Sequence, residues 1–182
     1  MIELQKEFVQ LSHCSFRGTR FTEQDKWPRK CFHCYNDSYK NPIPVVVALI
    51  EVTITSPLTH HETGFLIQQR NIEPKKGEWA LPSGYMNFGE TWQEAVVREN
   101  KEEMNLDSNP DDYELYSVRN SSAGNLLIFS IYRRLIYDID ILDKFLPNEE
   151  VQDIGFHFSD TGLAFPTHNE CIKELLERKI LR

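Results

Sequence analysis

The chain has 182 residues, 40% of them hydrophobic and 26% charged, which is ordinary globular usage and enough for one real core with a small appendage. Its formal net charge is −8 and its pI is near 5.3, which argues against a broad nucleic-acid or anionic-membrane surface, because neutralising phosphates takes a basic patch. The longest apolar run, Val45 to Ile50, is far too short to span a bilayer.

Residues 1–12 place Ile2, Leu4, Phe8, Val9 and Leu11 so that a short helix fits. Charges run throughout this stretch, so no secretory signal is expected. His13-Cys14 follows, then a basic and aromatic segment with Arg17, Arg20, Trp27, Arg29 and Lys30, then the pair Cys31-x-x-Cys34. The four cysteines read as reduced or metal-bound, as in a cytoplasmic protein. A structural Zn²⁺ takes four ligands. Cys31 and Cys34 would supply two, and Cys14 and His13 are candidates for the others, with His33 as a further choice. The competing reading is a ribbon that has lost its metal, its cysteines serving as small core residues.

Asn41-Pro42-Ile43-Pro44 is a turn, and the appendage is expected over residues 1–41, with one domain over 42–182. Val45 to Thr55 is rich in β-branched residues and predicts a buried central strand. Ser56 to Gly64 is a polar loop, where His60, His61 and Glu62 read as solvated rather than metal-binding. Phe65 to Gln69 alternates as the next strand, and Trp79-Ala80-Leu81-Pro82-Ser83-Gly84 leads into the most informative stretch.

Thr91 and Glu94 form a capping-box pattern that predicts a helix start, and Asp107, Ser108, Asn109 and Pro110 stop the helix. Glu99, Glu102 and Glu103 stand at i, i+3 and i+4, so they project from one side of it. Such a cluster repels itself, but hard oxygen ligands are what Mg²⁺ wants, and Mg²⁺ completes its shell with substrate phosphates. A solvated acidic face is the alternative. Arg98 has a fork that can hold Glu90 bidentately, with Glu94 a competing partner. Beyond the helix, Tyr113 to Val118 and Leu126 to Leu135 read as antiparallel strands across a Ser121–Asn125 loop. Asp138 to Pro147 reads as a linker, Ile154 to Phe158 as a strand and Asn169 to Lys179 as a helix with Ile172, Leu175 and Leu176 on one face.

The spacing of Gly84, Glu90, Arg98, Glu99, Glu102 and Glu103 resembles the Nudix box, G-x5-E-x7-R-E-U-x-E-E-x-G-U, where U is a bulky aliphatic. Asn100 departs from the pattern where an aliphatic is usual, and Asn105 replaces the glycine. Asn105 suits a left-handed helix cap, whereas a buried Asn100 amide needs a partner. Cys31-Phe32-His33-Cys34 followed by Asn41-Pro42-Ile43-Pro44 resembles the zinc-ribbon junction of the NADH and FAD/ADP-ribose pyrophosphatase branches, with Tyr35 in place of a glycine.

The resemblance implies an α/β fold, a Nudix α/β/α sandwich around a mixed sheet with a short N-terminal zinc-ribbon-like element. It implies Mg²⁺ or Mn²⁺ held by Glu99, Glu102 and Glu103, with Gly84, Glu90 and Arg98 as scaffold, and Glu150, or as second choice Asp153, near the metals; Glu99, Glu102, Glu103 or Glu150 is the general base. It also implies Zn²⁺ in the ribbon. The substrate it implies is a small nucleotide, cleaved at its diphosphate to release a nucleoside monophosphate. The S-Q-P-W-P-F-P signature of the NADH branch is absent after the box, which places ADP-ribose or FAD ahead of NADH, and a capped RNA end last. No membrane partner is expected, and the acidic balance disfavours nucleic acid; a homodimer stays open. The alternatives are a non-hydrolytic Nudix ligand-binding module and an RNA binder acting through the basic appendage.

Overall fold

A computed structural model describes residues 12–22, 26–54, 62–134 and 136–180. The chain forms two compact units, divided between Pro42 and Ile43. The helix expected over residues 1–12 lies, Ser12 apart, outside the described residues, as do His60 and His61.

The first unit is built from two tight hairpins. In one, His13 pairs with Arg20 across the turn. In the other, β1 (Arg29–Lys30) pairs antiparallel with β2 (Asp37–Ser38). Cys14, Phe21 and Cys31 are buried between them, with Cys34 packed alongside.

The second unit runs β3 (Pro44–Leu49), β4 (Glu51–Ile54), β5 (Glu62–Arg70), β6 (Trp79–Ala80), β7 (Ser83–Tyr85), α1 (Trp92–Met104), β8 (Tyr113–Asn120), β9 (Leu126–Tyr132), β10 (Ile136–Tyr137), α2 (Asp138–Leu142), β11 (Val151–His157) and α3 (Pro166–Ile180). Two mixed sheets result. One has the order β10-β4-β5-β11, with β6 also on β5, and β10 parallel to β4. The other has the order β7-β3-β9-β8, with β3 parallel to β9.

The apolar run expected as one central strand is therefore two, broken at Ile50, and its halves belong to different sheets. The two-residue alternation survives the break. Val46, Ala48, Ile50 and Val52 pack in one core with Ala95, Val96 and Met104 of α1. Val47 and Leu49 pack in the other with Phe129 and with Ile172 and Leu175 of α3. Because successive side chains of a strand point to opposite faces, one apolar run covers both helices, and the layering is α/β/α. None of the described helices is long and apolar enough to cross a membrane.

Helix α1 starts as its sequence dictates. Thr91 Oγ1 accepts from the Glu94 amide at 3.3 Å, and the Glu94 carboxylate accepts from the Thr91 amide at 2.7 Å. It ends at Asn105, in the left-handed region with φ 56°, whose amide bonds back to Lys101 O. Asn100 is buried, 1% exposed, and its Nδ2 donates to the Tyr113 hydroxyl at 2.8 Å. Ser108 Oγ lies 3.0 Å from the same hydroxyl. The amide that breaks the aliphatic pattern of the helix is thus satisfied by the first residue of β8. Tyr113→Phe should leave it without that acceptor and lower the unfolding free energy by about 1–3 kcal/mol, with kcat unchanged. Urea titration of both proteins checks this; equal midpoints and slopes would show the bond to be worth nothing.

Several boundaries differ from expectation: β5 starts at Glu62, within the stretch read as a loop, and β11 at Val151, three residues before the expected Ile154. The stretch read as a linker holds the short helix α2, which seats Ile141 in the core. The last helix begins at Pro166, three residues early, since proline fits the first helical position, where no amide partner is needed.

Candidate active site

Gly84 lies on β7 and pairs with Val46 of β3, which brings its backbone under the middle of α1. A Cβ on Gly84 would fall inside the carboxyl group of Glu99. Glycine is required here by that close approach. The Glu99 residue is 8% exposed and Glu103 4% exposed, so two acids four residues apart face inward. Glu102 faces outward, with a side chain 61% exposed.

The oxygens of the three glutamates are not gathered within 4.8 Å of one another. Arg98 holds two of them, with Nη1 2.8 Å from Glu99 Oε1 and 3.0 Å from Glu102 Oε2. Its other edge grips Glu90 in a fork, Nε at 3.1 Å and Nη2 at 2.8 Å, and Nη2 also donates to Tyr85 O at 2.8 Å. Glu94 does not compete for the arginine, because the cap of α1 has taken its carboxylate. The Arg98 fork and the Asn87 amide hold Glu90 below the usual carboxylate range. Glu90 and Arg98 thus tie the β7–α1 loop to the helix that carries the acids.

Glu103 is held by neutral donors. Gln68 Nε2 donates to its Oε1 at 2.8 Å, and the Ser83 amide donates to its Oε2 at 3.3 Å. Burial, opposed by these bonds and reinforced by the charges of Glu99 and Glu150, pushes its pKa up to about 8. Burial raises Glu99 as well, against the pull of Arg98. Glu150, exposed, stands next to the first residue of β11, close enough for its charge to act on both.

Several positioning residues gave no signal in the sequence. Gln68 sits in β5 in the run Phe-Leu-Ile-Gln-Gln, and its own Oε1 is buried without a partner in the protein. Asn148 Nδ2 donates to the carbonyl of Glu103 at 3.0 Å, and its Oδ1 accepts from the amides of Glu150 at 3.0 Å and Val151 at 2.8 Å. It therefore joins the carboxyl end of α1 to the segment bearing Glu150. His168 Nδ1 accepts from the Leu81 amide at 3.1 Å and steadies the turn leading to Gly84. Complete burial, with the Arg70 charge adding to it, keeps that imidazole neutral, its pKa down to about 3.

The donor set suits a divalent cation. It offers hard oxygens, two of them on buried acids whose ionisation desolvation opposes, and an orphaned amide oxygen on the residue that holds Glu103. Two cavities of about 230 and 490 Å³ lie elsewhere in this unit, beside Met104 and Ile141 and beside Tyr116 and Arg178. None of the four acids lines them.

In the first unit, the sulfurs of Cys14, Cys31 and Cys34 lie within 4.8 Å of one another, with Cys14 and Cys34 at 3.7 Å. The amide of Cys34, partly offset by burial, draws the Cys31 thiol down to about 6. His13 is not in this group; its ring is exposed and its Nδ1 lies 2.8 Å from Ser12 Oγ. His33 is also outside it, and its ring packs on Phe32 with centroids 4.2 Å apart.

The NUDIX domain family model matches residues 50–167, and the chain belongs to that family. Over 99% of its length it is 23% identical to the NAD-capped RNA hydrolase NudC of Photorhabdus laumondii, of which it spans 64%. Over 37% of its length it is 40% identical to an ADP-ribose pyrophosphatase of Methanocaldococcus jannaschii, of which it spans 35%. The crystal structure of a NUDIX hydrolase from Nitrosomonas europaea matches with a TM-score of 0.64 at 24% identity, covering 92% of this chain and 91% of that one, a likeness of fold.

Proposed function

We propose that the chain is a divalent-metal-dependent hydrolase that cleaves the diphosphate of a nucleoside diphosphate derivative and releases a nucleoside monophosphate. The observation that carries this reading is the pair of inward acids, Glu99 and Glu103, set against Gly84, with Arg98 bonded to Glu99. Burying two carboxylates side by side is costly unless cations offset their charge. Mg²⁺ or Mn²⁺ held by Glu99, Glu102 and Glu103 would supply neutralisation of the diphosphate and of the departing phosphate oxygen. Arg98 orients Glu99 and Glu102, while Gln68 and Ser83 orient Glu103. Glu150, exposed and near enough for its charge to act on Glu99 and Glu103, is our choice for the base that would take a proton from an attacking water.

ADP-ribose or FAD is the favoured substrate, ahead of NADH. The 40% identity to an ADP-ribose pyrophosphatase supports this order. So does the net charge of −8, since a compact dinucleotide carries two phosphates that cations neutralise locally, whereas a long polyanion meets uncompensated negative charge. The similarity to an NAD-capped RNA hydrolase, over 99% of this chain and 64% of that protein, favours a second reading, in which the dinucleotide is the 5′ end of an RNA.

Side-by-side kinetics at one Mg²⁺ concentration, with products separated by chromatography, decide between them. ADP-ribose or FAD should show a higher kcat/KM than NADH, with AMP as a product. A clear preference for NADH, for a nucleoside triphosphate or for NAD-capped RNA would replace the first reading. No release of a nucleoside monophosphate from any of them would end both.

A further inference from the structure

The two hairpins of the first unit are copies of one turn. In the second hairpin, the Cys31 amide bonds to Asn36 O at 3.0 Å and the Tyr35 amide returns to Cys31 O at 2.8 Å, with Tyr35 at φ 58°. In the first, the Cys14 amide bonds to Thr19 O at 2.7 Å and the Gly18 amide returns to Cys14 O at 2.8 Å, with Gly18 at φ 67°. The flanking pairs correspond too, His13 with Arg20 and Lys30 with Asp37. Cys14, Arg17 and Gly18 therefore occupy the places of Cys31, Cys34 and Tyr35. Two such turns facing each other would present four side chains to one point, and here three are thiols and the fourth is Arg17.

The sulfur spacing already has the dimensions of a metal site. A tetrahedron with metal–sulfur bonds of about 2.3 Å has edges of about 3.8 Å. Cys14 and Cys34 are 3.7 Å apart, and all three sulfurs lie within 4.8 Å. Among the described residues no histidine nitrogen or carboxylate oxygen joins them. The Arg17 guanidinium cannot be the fourth ligand, since it keeps its proton and has no lone pair to give.

We propose that Cys14, Cys31 and Cys34 bind one Zn²⁺ through three thiolates and leave the fourth coordination position, the one that falls to Arg17, to an exchangeable small ligand: water, or a small anion or thiolate. Three thiolates on a divalent ion leave a single negative charge, and an arginine at the turn position of the fourth thiolate brings a positive charge that would offset that of an incoming anion. A closed four-thiolate site would be structural and inert; this one has the open vertex of a site that exchanges ligands. The proposal concerns the first unit alone and stands apart from the diphosphate reading of the second.

Cobalt substitution in the full-length protein, reduced with a phosphine so that no thiol is added, tests it. The wild type should take up one Co²⁺ per chain with thiolate-to-cobalt charge-transfer bands, and its visible tetrahedral bands should move when chloride, imidazole or a small thiol is titrated in. Arg17→Cys should close the site. Its bands should ignore the same additions, and its zinc should pass to a chelator at least about tenfold more slowly, the scale on which even an outer partner of a ligand matters. If Arg17→Cys fails to fold, the wild-type titration decides by itself. Wild-type bands that ignore every added ligand would place a fourth protein ligand on the metal and overturn the proposal. So would a wild type that takes up no cobalt, including one whose Cys14 and Cys34 are found joined as a disulfide.

Discussion

Glu103→Gln is expected to abolish turnover, with a loss of at least about 10²-fold in kcat, the scale on which one preorganised electrostatic group acts. The amide keeps the shape of the carboxyl and one acceptor for Gln68 or Ser83, but it carries no charge to hold a cation. The effect on stability has a definite sign. Glu103 has a pKa near 8 in the folded metal-free protein, against an ordinary 4.5. Between those values the folded chain holds a proton that the unfolded chain has lost. Its contribution is therefore fully present below about pH 4.5 and is lost as pH rises through about 8, at about 1.4 kcal/mol for each unit of the gap. Glu99, raised in the same direction by burial, adds to the trend. Urea unfolding of the metal-free wild type should give falling stability from pH 5 to pH 8, and Glu103→Gln should flatten that slope. Added Mg²⁺ should stabilise the wild type more at pH 8 than at pH 5, because cation binding displaces the proton. A variant that turned over like the wild type at saturating Mg²⁺ would remove Glu103 from the site.

Gly84→Ala should be nearly as damaging to activity with far less change in chemistry. One methyl group, added on the strand opposite the helix, occupies the space of the Glu99 carboxyl. Glu99 must then swing away, and Arg98, bonded to it at 2.8 Å, is disturbed with it. A misplacement of about 1 Å costs on the order of 10²-fold in rate. The loss should appear in kcat/KM together with weaker Mn²⁺ binding in a direct titration. Wild-type Mn²⁺ affinity and wild-type kcat/KM in this variant would mean that the position of Glu99 against β7 has no bearing on the reaction.

What could be read from the sequence was local. The capping box at Thr91 and Glu94 and the left-handed Asn105 are written in neighbouring residues, and the structure has them. The break at Ile50 was not legible, because Glu51-Val52-Thr53-Ile54 continues the β-branched pattern and only its partners put it in another sheet. Pairings across the chain were also hidden. Asn100 finds its partner thirteen residues on, at Tyr113, and nothing in either residue names the other. Arg98 had two eligible glutamates, and the choice of Glu90 follows from Glu94 being used by the cap. Gln68 is one polar residue in a strand and gives no periodic signal. The first hairpin did leave a trace, the spacing of Cys14 and Gly18 repeating that of Cys31 and Tyr35, but without a second cysteine it did not read as the same turn.

The bonds of Asn148 also set where this scaffold can be cut and rejoined. One side chain grips the last turn of α1 and the first amides of β11, so the segment bearing Glu150 is an extension of the helix end and not an independent loop. The Asn71 amide adds a second tie, bonding to Glu150 O at 2.7 Å. A loop transplanted from a relative to alter substrate choice can replace residues up to Pro147 and leave this knot intact. A graft that runs past Asn148 and takes in Glu150 exchanges the clamp along with the loop, and the imported acid then arrives on a stem that the recipient helix does not hold.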